Sequence, residues 1–152
     1  MRAPKAGDLI EMRTARGLAY AQVTHKVQLF GTLIRVLEPI VPERPSDLEA
    51  IARSRERFVT FFPVAAAVKR EIVTLAGSAS IPPHARKFPL LRQRGNVLAD
   101  GVVADWWLFD GSRQWRVGRL APDQARLSIA EVVNDTLLRE RIDSDWRPEQ
   151  VV

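Results

Sequence analysis

A chain of 152 residues with 46% hydrophobic side chains has material for one core and is expected to form a single domain over 1–152. It contains no cysteine, which excludes structural disulfides, thiolate metal sites and a cysteine nucleophile. The formal charge of +5 favours acidic partners, although the basic residues are dispersed rather than pooled, as in ArgSerArgGluArg at 53–57.

In chain order, Gly7-Asp8 opens an apolar stretch, LIEM, that reads as a first strand. Arg16-Gly17 turns it into a second, LAYAQV at 18–23, and a less regular stretch ends at Gly31. TLIRVLEPIV is expected as a third strand, interrupted at Pro39 and Pro42, because proline cannot donate to a ladder. The three strands predict an antiparallel meander. SDLEAIARS predicts a short helix with Ser46 as cap and Glu49 completing a capping box, its apolar face made by Leu48, Ile51 and Ala52. RFVTFFPV and REIVTLAG read as further strands; the AlaAlaAla run at 65–67 between them fits strand, helical turn or link equally. SerIleProProHis at 80–84 and Pro89 predict an extended surface loop.

The segment ADWWLFDGSRQWRVGRL carries three of the four tryptophans around Asp110-Gly111, a strong hairpin signal. A two-residue loop sets Trp106 opposite Trp115 and Asp105 opposite Arg116; a three-residue loop sets Trp107 opposite Trp115. Either way two indoles share a face and one lies across the sheet. The shared pair is expected in the core, which leaves one indole for recognition. Near the carboxy-terminus, Ser128 and Glu131 read as a second capping box. Ile129, Val132, Val133, Leu137 and Ile142 form the apolar stripe of a helix laid on the sheet, with acids early and Arg139 and Arg141 late. The fold class is therefore α+β: a curved antiparallel sheet, barrel-like if it closes, with a short middle helix and a carboxy-terminal helix packed on it.

Chemistry is sparsely signalled. His25 and His84 are the only imidazoles, no HExxH or HxH spacing occurs, and no metal or other cofactor is expected. No GxSxG elbow presents a serine, and neither phosphate-loop pattern is present. Asp100, Asp105 and Asp110 lie near the tryptophans, as a glycosidase pair would, but Asp110 is explained by the turn and Asp105 by pairing with Arg116. No catalytic residues are assigned. The amino-terminus lacks the apolar region of a signal peptide and no apolar run approaches a membrane span, so a soluble, cytoplasmic protein without membrane contact is expected.

GDLIEM at 7–12, AYAQVTHK at 19–26, GTLIRVLEP at 31–39, TFFPV at 60–64, IPPHARKFPLLRQ at 81–93, WWLFDG at 106–111 and LLRERIDSDWRPE at 137–149 together resemble the immunity protein 26 family of bacterial polymorphic toxin systems. The resemblance runs in order over nearly the whole chain. It implies an α+β fold, stoichiometric binding and neutralisation of a cognate toxin protein, and no catalytic residues. Immunity proteins against nucleases are often acidic; the positive charge here points to an acidic toxin, to a toxin with a target other than nucleic acid, or to reuse of the domain. The expected partner-binding residues are Tyr20, Arg86, Arg92, Arg94, Trp107 and Arg116. A small β-barrel module binding nucleic acid is the alternative, from the charge and the aromatic strands, and an enzyme acting on sugars or nucleotides comes third.

Overall fold

Where the sequence predicts a meander, three long strands form one: β1 (Asp8–Thr14), β2 (Gly17–Val27) and β3 (Gly31–Val41), each antiparallel to the next. The structure is a computed structural model and describes residues 2–152. The β1–β2 turn needs Gly17: its φ is 129°, and a Cβ there would lie 2.8 Å from the Val41 carbonyl oxygen. β4 (Glu56–Phe61) adds beyond β3 and β5 (Thr74–Ser78) beyond β1, giving the order β4-β3-β2-β1-β5. β2 is central and buried on both faces from Leu18 to Thr24, which suits its small residues. One face packs Ile10, Met12, Ala21 and Val36 against α2 (Val64–Lys69) and α4 (Asp135–Asp143). The other packs Leu9, Leu18, Tyr20 and Leu37 against α1 (Leu48–Ala52).

Three local expectations are corrected here and one open reading is resolved. β3 continues through Pro39 to Val41, because the register with β2 shifts between Ala19 and Ala21 and the proline falls in the resulting irregularity. Asp47, one residue after Ser46, caps α1 by accepting from the Ala50 N–H at 3.1 Å, while the Glu49 carboxylate accepts from Ser80 instead of closing a box. The alanine run resolves as helix, with Val64, Ala67 and Val68 inward. Residues 83–86 make one helical turn, α3 (Pro83–Arg86), within the expected loop.

The fourth correction reshapes the molecule: residues 128–133 are extended, and α4 begins only after Asn134, whose side chain accepts from the Leu137 N–H at 2.8 Å. The tryptophan region forms a second antiparallel sheet of β6 (Leu91–Arg94), β7 (Trp106–Phe109) and β8 (Gln114–Gly118). Residues 128–133 run between the two sheets in parallel with both neighbours. Phe61 donates to the Glu131 carbonyl at 3.1 Å and accepts from Val133 at 2.9 Å; Arg92 donates to the Ser128 carbonyl at 3.0 Å and accepts from Ala130 at 2.8 Å. Backbone groups that a helix would have paired internally are thus satisfied by two sheet edges. Leu33, Phe61, Leu91, Phe109 and Ala130 fill the junction. β5 and β8 remain as outer edges, so the sheet is curved and α+β but does not close into a barrel. Among the described residues no helix is long and apolar enough to cross a membrane.

An acid-sensitive clasp holds the start of β1. The Arg2 guanidinium donates to both oxygens of the buried Asp8 at 2.7 and 2.9 Å, and the Lys5 N–H adds a third bond at 2.9 Å. The bonds from Arg2 outweigh burial and hold the Asp8 carboxyl below its ordinary range. A folded-state pKa below the unfolded value supplies stability above about pH 4 that is lost as pH falls through the folded value. Asp8→Asn is therefore expected to flatten the acid side of the stability profile, measured as urea midpoints between about pH 2 and pH 7.

Candidate functional site

Two regions of the surface stand apart from the packed sheets. The first surrounds the tryptophan hairpin. Its loop is four residues, 110–113, since Phe109 pairs with Gln114, Leu108 with Trp115 and Trp107 with Arg116. Neither expected register is adopted. The Asp110 carboxylate accepts from the Ser112 and Arg113 N–H groups at 3.0 and 2.8 Å, which fixes the longer loop. Those backbone bonds also hold its pKa below the ordinary value. Gly111, at φ 103°, lies against Phe88, and a Cβ would come within 2.8 Å of that ring.

This register separates the indoles. Trp106 is buried beneath the Arg92 guanidinium, 4.6 Å from the ring centroid, and Trp107 is half-buried. Trp115 shares a face with Trp106 by strand alternation but sits on the edge strand and is 37% exposed, so the same-face pair is not a core pair. Asp105 and Arg116 do pair, at 2.7 Å, diagonally rather than directly opposite. Between β6 and β7 the chain makes another hairpin, closed by Leu98 N–H to Val102 C=O at 2.8 Å and a Val97–Val103 bridge. Its side chains stand in solvent: Val97 and Leu98 are each 52% exposed and Val102 is 44% exposed. Asp100-Gly101 in NVLADGVV was the sequence signal for this turn.

The second region is a cleft of about 930 Å³ between the two sheets, lined by apolar Leu33, Phe58, Phe88 and Leu91 and by charged groups. At one side the buried Arg35 donates to Glu56 at 2.7 Å, and the same Glu56 oxygen accepts from His84 Nε2 at 2.8 Å. Burial pushes the Glu56 carboxyl up, but Arg35 and His84 prevail and leave it below its usual range. Arg57 and Arg147 also line the cleft and both pair with Asp145, at 2.6 and 2.8 Å. Lys87 and Arg126 line it too and, among the described residues, have neither a hydrogen-bond nor an ion-pair partner. Arg35, Glu56, Lys87 and Arg126 were not anticipated; an arginine inside the apolar run TLIRVL was the one usable signal.

The six residues expected to bind a partner scatter. Tyr20 is 1% exposed in the core beneath α1 and its hydroxyl donates to Glu11, so it leaves the surface; burial and that bond push its pKa well up. Arg92 is fully buried and likewise leaves it. Arg94 is half-buried and pairs with Glu131, which also receives Arg141; Glu131 therefore links β6 to α4 instead of capping a helix. Arg86 is exposed on α3, its carbonyl accepting from the half-buried His25 at 2.9 Å. Trp107 and Arg116 lie opposite each other on the second sheet, a pairing that neither expected register gives. Among the described residues no cluster of histidine, aspartate or glutamate could hold a metal ion. Comparison of the chain with protein-family models, curated proteins and solved structures finds no significant match.

Proposed function

We propose that this chain is a stoichiometric inhibitor of a bacterial toxin, an immunity protein that works by covering a surface of its partner. The resemblance to the immunity protein 26 family motivates the partner, and one observation carries the site. Val97, Leu98 and Val102 stand exposed on a hairpin whose root is tied, through the Asp105–Arg116 pair, to an open edge strand bearing Trp115. Apolar side chains, an indole and arginines beside unpaired strand hydrogen-bonding groups are what protein interfaces use for affinity and register. A standard interface needs about 800 Å² from each partner. Arg113 and Arg116, both exposed, complement an acidic toxin face.

The test is rescue of growth on co-expression with the toxin encoded beside this gene, with the affinity of the purified complex. Wild type is expected to rescue. Leu98→Asp and Trp115→Ala are each expected to weaken binding about 30-fold with little change in melting temperature. Failure to rescue, or full affinity in both variants, overturns the reading. Binding of RNA or DNA that falls steeply with salt would favour the nucleic-acid alternative instead.

A further inference from the structure

The hairpin face leaves the cleft unexplained, because none of Val97, Leu98, Val102, Arg113, Trp115 and Arg116 lines it. Its volume of about 930 Å³ falls within the range of small-molecule sites. Charge decides the class of ligand. Five cations line the cleft against three acids, and most are committed within the protein. Arg35 pairs with Glu56, and Arg57 and Arg147 with Asp145. Of the acids, Glu56 also holds His84, and Asp110 accepts from its own turn. The third, Glu149, makes no ion pair among the described residues and lies in the carboxy-terminal turn that packs against the turn carrying Arg126. Lys87 and Arg126, both exposed, likewise make no ion pair among the described residues, so two uncommitted cations stand in the cleft against one uncommitted acid, beside half-buried Phe88 and Pro89 and exposed Leu90.

We propose that the cleft binds a small amphipathic anion, its apolar body against Phe88, Pro89 and Leu90 and its carboxylate or phosphate held by Lys87 and Arg126. Arg35 and Glu56 position this site. They fix His84, and with it one end of the 84–90 wall, without contributing net charge. Lys87 and Arg126 stand exposed on the cleft lining, and two cations facing an anion there give charge-assisted hydrogen bonds that a neutral ligand of the same shape cannot replace.

The probes are phenyl phosphate, 3-phenylpropionate and neutral 3-phenylpropanamide, titrated into the full chain and followed by the histidine ring resonances. With only two histidines, His84 in the cleft is resolved against His25, which does not line it. Saturable binding of either anion is expected, at least about tenfold tighter than the amide. The Lys87→Ala/Arg126→Ala double variant is expected to lose about tenfold or more while melting at the wild-type temperature. If one anion alone binds, the site is assigned to carboxylates or to phosphates accordingly. No saturation by either anion up to about 10 mM, equal binding of the amide, or an unaffected double variant overturns the proposal. Toxin rescue by the double variant should be normal, so this site and the toxin-binding face fail or stand separately.

Discussion

Arg35→Met is expected to cost about 3–5 kcal/mol of stability and to lower the melting temperature by roughly 10 °C. Arg35 lies on β3 and is 1% exposed, its side chain on the face covered by α1. Its Nε donates to Gln22 Oε1 at 2.8 Å across the β2–β3 pairing, and Nη1 donates to Glu56 and to the Ser54 carbonyl at 2.7 and 3.1 Å. Nη2 donates to the Ala52 carbonyl, so the guanidinium satisfies carbonyls at the end of α1 that the helix leaves unpaired. Methionine replaces the apolar stem of the side chain and none of its donors. It strands a carboxylate, an amide oxygen and two carbonyls in or near the interior, the circumstance in which removing one partner costs most. Arg35→Met/Glu56→Gln is expected to recover about 1 kcal/mol or more relative to the sum of the single changes. A loss under about 1 kcal/mol for the single variant would show that the network adds little.

The same arginine shows where sequence legibility ends. The meander was readable because Gly7, Gly17 and Gly31 punctuate apolar runs, and the hydrophobic pattern then fixes which strands can pair. The inward face of α1 was readable from Leu48, Ile51 and Ala52. Pro39 misled because a lost donor ends a ladder only where that donor is needed, and a register shift removes the need. Ser128 and Glu131 misled more deeply. Their spacing is a sound local helix signal, but residues 128–133 gain two ladders at once by staying extended, and a stronger cap waits at Asn134. Local propensity lost to a tertiary arrangement that no short window contains. At the candidate sites, residue type did not separate the exposed Arg116 from the buried Arg92, because both alternate within strands that have one open and one covered side. The cleft was unreadable for the same reason: Glu56, His84 and Arg126 come from three distant segments that only the junction of the sheets brings together.

Arg92→Leu is expected to destabilise by about 3–4 kcal/mol, and to do so by releasing the carboxy-terminal turn. Arg92 is fully buried on β6, where its backbone already pairs with residues 128 and 130. Its guanidinium meets three carbonyls and no carboxylate: Nε donates to Leu127 at 2.9 Å, Nη1 to Val151 at 3.0 Å and Nη2 to Pro148. Burial, with the neighbouring Arg94, lowers its pKa from the ordinary value, so the charge is held at a cost that the carbonyls and the Trp106 ring offset. One side chain thereby clips residues 127, 148 and 151 to the second sheet. Two consequences separate this role from the partner contact expected from sequence. A chain ending at Arg147 should be destabilised, and Arg92→Leu should cost less in that shortened chain than in the full one, by about 1–2 kcal/mol. Toxin affinity, measured well below the melting temperature, should stay within about threefold of wild type. A variant that melts normally yet loses its partner would instead place Arg92 in the interface, and would require the carboxy-terminal turn to lift away before the partner binds.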